Sequence, residues 1–105
     1  MNANYKTVLI ESLKSFDAKA KSNVETAVSL IAESIATAYT RADLSVQENT
    51  FLETLKRIQE CPNVLNLENA SEMGTSTILE AILSYFKRYE FGIAQMQEII
   101  NGIKA

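Results

Sequence analysis

Apolar side chains recur at steps of three and four along almost the whole chain, and that rhythm restricts it to helices packed on one another. Tyr5, Val8, Leu9, Leu13 and Phe16 share one helical face. Val24, Ala27, Val28, Ile31, Ile35 and Ala38 form a second stripe, and Phe51, Leu52, Leu55 and Ile58 a third. Ile78, Ile82, Tyr85, Phe86 and Tyr89 make a fourth, followed by Ile93, Met96, Ile99, Ile100 and Ile103.

Starts and stops fall between these stripes. Ser22-Asn23-Val24-Glu25 and Ser45-Val46-Gln47-Glu48 have capping-box spacing, in which the serine accepts from an exposed amide and the glutamate reaches back. Thr77 to Glu80 has the same spacing and predicts a fourth helix beginning near Thr77. Pro62 ends the third helix, because it lacks an N–H and pushes Cys61 out of helical geometry. The second helix is expected to end near Tyr39 or Thr40 and to be the most buried, since Ala32, Ser34 and Ala36 let neighbours approach closely. Between Pro62 and Gly74, Val64, Leu65 and Leu67 are expected against the core, with Asn63, Asn66 and Asn69 favouring turns. Gly92 either separates two helices or lies within one long helix. The expected fold is therefore all-α, a compact bundle of four to five helices, with residues 1–105 forming a single helical domain.

Composition decides which chemistries such a bundle can carry. The chain has 105 residues, 47% of them hydrophobic, which is enough for one modest core. Dimerisation would supplement that core, so a homodimer is among the expectations. Histidine is absent, which removes Ser-His-Asp and Cys-His arrangements and histidine-containing zinc sites. The single cysteine, Cys61, cannot form an intrachain disulfide and suits a reducing compartment. It also sits at a helix C-terminus, the wrong end to stabilise a thiolate. Gly74, Gly92 and Gly102 are isolated and build no phosphate loop. These absences argue against an enzyme and against a bound cofactor.

The net charge of −3, with the ten lysines and arginines scattered among acids, disfavours nucleic acid as a partner. The pairs Lys56-Arg57 and Lys87-Arg88 read as solvated helix surface. Val8-Leu9-Ile10 is followed at once by Glu11, and later apolar runs are equally short. Neither a signal peptide nor stable membrane insertion is expected, and the default location is cytoplasmic.

Two stretches are candidate sites. Asp43, Ser45 and Glu48 place oxygen ligands around one helix start, so Asp43 and Glu48 are candidates for a weak Ca²⁺ or Mg²⁺ site. The stretch lacks the acid density and glycine of an EF-hand loop, and capping alone accounts for Ser45 and Glu48, with Asp43 favouring the helix dipole. The second stretch holds Tyr85, Phe86, Tyr89 and Phe91, four aromatics in seven residues that cannot all face one way. With Lys87 and Arg88 between them, Tyr85, Lys87, Arg88, Tyr89 and Phe91 form a candidate protein-binding patch.

The order of elements from Val24 to Ile103 resembles the first half of the tellurite-resistance TerB family. The matching residues are Ile35-Ala36 and Ala38 of an Ala-rich helix, then Ala42-Asp43, Ser45 and Glu48 at the following turn and helix start. Phe51 and Leu55 follow, and Ser84-Tyr85-Phe86 to Tyr89-Glu90-Phe91 resembles the family's later Phe-rich helix. Leu44 stands where the family has glycine, and the second acidic turn has no counterpart, so only Asp43 and Glu48 carry over from the family's metal-linked acidic surface. The resemblance implies an all-helical stress-response or defence-associated module that acts through partners.

The leading functional expectation is thus a non-enzymatic protein-interaction or regulatory module. The alternative is a small acidic inhibitor or immunity protein, encoded by a phage or other mobile element, that blocks a basic site on a partner protein.

Overall fold

A computed structural model describes residues 4–42, 49–67, 73–90 and 92–105. Within them lie five α-helices and no strand: α1 (Tyr5–Ser15), α2 (Val24–Arg41), α3 (Asn49–Glu60), α4 (Thr75–Lys87) and α5 (Ile93–Lys104). Short 3-10 turns occupy Ala18–Ala20 and Pro62–Leu65. The radius of gyration is 12.8 Å, close to the value of about 13 Å for a packed chain of this length, so the helices form one body.

Helix boundaries follow local chemistry, with some shifts from the sequence expectation. α2 begins one residue later in the capping pattern than expected. Asn23, not Ser22, is its N-cap, and the Thr26 amide donates to Asn23 Oδ1 at 2.8 Å. α2 runs to Arg41, slightly beyond the expected end. α3 stops at Glu60, Cys61 leaves helical geometry at φ −133°, and Pro62 opens the 3-10 turn, as its missing N–H requires. Asn66 closes that turn in the left-handed region at φ 54°, which asparagine tolerates. The cap expected at Ser45 to Glu48 and the turn at Asn69 lie outside the described residues.

α4 starts at Thr75, two residues before Thr77, with Gly74 as its N-cap. The Thr75 hydroxyl instead donates to the carbonyl of Phe16 at 3.0 Å, tying the start of α4 to the end of α1. The chain does break at Gly92. Glu90 at φ 58° and Gly92 at φ 71° turn it through the left-handed region, so α4 and α5 are separate helices.

α2 packs chiefly on α3 and α4 on α5, while α1 lies against both α2 and α5. Among the described residues the buried ones are all of hydrophobic type, with Tyr39 and Tyr85 each bringing a hydroxyl. α2 contributes Ala27, Val28, Ile31, Ala32, Ile35, Ala36 and Tyr39 to it, and its small residues admit α1 and α3 closely. A row of aromatic rings crosses this core. Tyr5 meets Tyr39 at 5.3 Å between centroids, Tyr39 meets Phe51 at 4.9 Å, and Phe51 meets Phe86 at 5.2 Å. Four helices are thereby joined by edge-to-face and tilted contacts, the geometries favoured by the ring quadrupole. Val64, Leu65 and Leu67 pack against the core as expected, half-buried. Val8 does not: it is 61% exposed, although it shares the apolar stripe of α1. Leu9 and Leu13 carry that stripe inward, and Val8 lies at its uncovered edge.

Candidate interaction surface

The C-terminal end of α4 shows why an aromatic run in a helix divides between core and surface. Successive helical positions are turned by about 100°, so Tyr85 and Phe86 point inward while Lys87 and Arg88 turn to solvent. Phe86 is fully buried and closes the aromatic row. Tyr85 is also buried, at 6% exposure, and offers little surface of its own. Tyr89, one turn on, is 47% exposed, and its ring lies 5.2 Å from that of Tyr85 at an angle of 56°. Phe91 lies outside the described residues.

Sequence spacing gave no sign of Arg57. This α3 residue acts on the Tyr85 hydroxyl electrostatically, as does Tyr89. Burial holds the Tyr85 hydroxyl above its ordinary pKa; the contact with Tyr89 adds to that, and the Arg57 guanidinium works against it. Two shallow depressions flank the tyrosine pair. One, of about 230 Å³, is lined by Thr50, Glu53, Thr54, Arg57 and Tyr89. The other, of about 210 Å³, is lined by Val64, Leu65, Ala81, Ser84, Tyr85 and Arg88. Residues from both dibasic pairs, Arg57 and Arg88, therefore border the same two tyrosines. Only the tertiary structure reveals this, because no local spacing links residue 57 to residue 85.

The metal candidates Asp43 and Glu48 lie outside the described residues. Among the described residues, no three Cys, Asp or Glu side chains come together as a metal-binding group. Cys61 is an exposed free thiol. Also among the described residues, no helix is long and apolar enough to cross a membrane.

No family model, no curated protein and no solved structure matches this chain.

Proposed function

We propose that the protein is a non-enzymatic helical interaction module that engages a protein partner through the end of α4. The resemblance to tellurite-resistance TerB proteins accords with a stress-response or defence-associated role for it. The observation that carries the reading is Tyr89. It is a large aromatic left half exposed, backed by the buried Tyr85 ring and bordered by Arg57 of α3 and by Arg88 at the C-cap of α4. An aromatic ring held from behind loses little freedom on binding, and tyrosine beside arginine is the composition that concentrates binding energy. The patch carries Arg57, Lys87 and Arg88 against Glu53 and Glu90, a positive balance opposite in sign to the acidic surface that an inhibitor of a basic site would use.

The test is quantitative affinity capture from the native host with the wild-type chain, Tyr89→Ala and Arg88→Glu side by side. A specific partner retained by the wild type and lost by about tenfold or more with Tyr89→Ala supports the reading. Equal recovery by all three forms, with unchanged circular dichroism, sinks it.

A further inference from the structure

Val8 and Tyr89 are the two large apolar side chains left exposed among the described residues. Val8 stands over a groove of about 410 Å³ between α1 and α2, floored by Tyr5, Leu9 and Ala38 and edged on α2 by Glu33, Thr37 and Arg41. The two helices run antiparallel: Tyr5 near the start of α1 meets Tyr39 near the end of α2, and the short connection through Ala18–Ala20 joins the end of α1 to the start of α2. Val8 lies three residues beyond Tyr5 and Thr37 two before Tyr39. At a rise of about 1.5 Å per residue, the two stand at nearly the same height along the groove.

Glu33 and Arg41 lie four residues to either side of Thr37, on the same face of α2 and opposite in charge. Gln59 donates to the Glu33 carboxylate at 3.2 Å and holds it at the rim, while Arg41 makes no ion pair among the described residues. This pattern is its own complement. A two-fold axis across the groove at the height of Val8 and Thr37 reverses the direction of α2, setting Glu33 against the partner's Arg41 and Arg41 against the partner's Glu33. The same axis sets Val8 against the partner's Val8. An unrelated protein requires no such symmetry of charge about an apolar centre, whereas an isologous dimer does.

We propose that the α1–α2 groove is a homodimer interface, in which Val8 packs on the partner's Val8 and Glu33 pairs with the partner's Arg41. The interface covers the apolar edge that the fold leaves open, and a chain this small gains from burying further surface.

Sedimentation equilibrium across micromolar to millimolar concentrations tests it, with circular dichroism as a check on folding. Val8, Glu33 and Arg41 are all exposed, so substitutions there leave the monomer intact. The wild type dimerises, more weakly at high salt. Glu33→Arg alone and Arg41→Glu alone each set like charges together twice and raise the dimer Kd by about tenfold. Mixed, these two variants associate with each other, because both contacts again join opposite charges. Val8→Asp leaves a folded monomer. A wild-type chain that stays monomeric at millimolar concentration overturns the proposal. So do complementary variants that fail to associate when mixed, and dimerisation unaffected by Val8→Asp.

Discussion

Gly92 brings its α-carbon against the ring of Phe51: a β-carbon at that position would lie 2.6 Å from Phe51 Cδ1 and 2.8 Å from the nearest atoms of Phe86. Both rings belong to the aromatic row: Phe51 cannot swing away without disturbing Tyr39, nor Phe86 without disturbing Phe51. The backbone is also left-handed there, at φ 71°, which disfavours any side chain. Gly92→Ala thus incurs two independent costs and is expected to lower stability by about 3 kcal/mol. Urea unfolding followed by circular dichroism reads this as a fall in midpoint at unchanged slope.

At Gly102 the same substitution has an answer elsewhere in the chain. A β-carbon there would strike Ile10 Cδ1 and approach Ile10 Cγ1 to 3.1 Å. Gly102→Ala gains helix propensity but overpacks the α1–α5 contact, for an expected net loss of about 1 kcal/mol. Ile10→Val removes the offending methyl group. The double variant Ile10→Val with Gly102→Ala is expected to be more stable than Gly102→Ala alone, and a double-mutant cycle measures the coupling. Strict additivity would show that the two positions do not compete for space.

The start of α2 offers a choice between neighbours. Asn23 accepts from the Thr26 amide, whereas the exposed Ser22 hydroxyl lies 3.4 Å from that of Thr26. Asn23→Ala is expected to cost about 1 kcal/mol, or about 4–8 °C in Tm, and Ser22→Ala a few tenths. Thermal melts of the two variants decide which residue caps the helix.

Alkaline pH is expected to act through Tyr85. Its folded-state pKa lies above the ordinary value of 10.0, first because the ring is buried and next because of Tyr89. The folded protein therefore holds this proton at pH values where the unfolded chain has released it. The corresponding stabilisation is fully present below about pH 10 and is lost as pH rises through the folded-state value. Urea midpoints measured upward from about pH 9 should decline less steeply in Tyr85→Phe than in the wild type. Parallel slopes would leave Tyr85 without a part in the alkaline limb.

Much of the fold is legible in the spacing of Leu, Ile and Val, because a helical face must be buried somewhere whichever partner buries it. The all-α bundle, the stop at Pro62 and the packing of Val64, Leu65 and Leu67 follow from local rules. Details fail where two residues compete for one task or where a neighbour decides. Ser22 and Asn23 are both competent caps, and the register of α2 selects the second. Thr77 has cap spacing, but Thr75 finds the Phe16 carbonyl and α4 begins earlier. Val8 has the periodicity of a core residue, yet α2 and α5 cover the flanks of α1 that hold Leu9 and Ile10 and leave Val8 outside. At the candidate surface, the aromatic run announced that some ring must face outward. That Tyr89 is exposed and Tyr85 buried, and that Arg57 stands beside them, depends on the tertiary placement of α3 and α4, which meet through Phe51 and Phe86.

The lodging of α1 against α5 also bears on the order of folding. Lys6 pairs with Glu98, and Ile10 lies over Gly102, so the two helices run side by side in the same direction. These contacts join residues 92 positions apart, whereas α2 with α3 and α4 with α5 are neighbours in the chain. The loop they close is the longest in the molecule, and its entropy is recovered only after the nearer pairs have met. The α1–α5 seam is therefore expected to form after the rate-limiting barrier. Loosening it with Ile10→Ala should accelerate unfolding and leave the folding rate nearly unchanged, so the seam governs how long the native state survives.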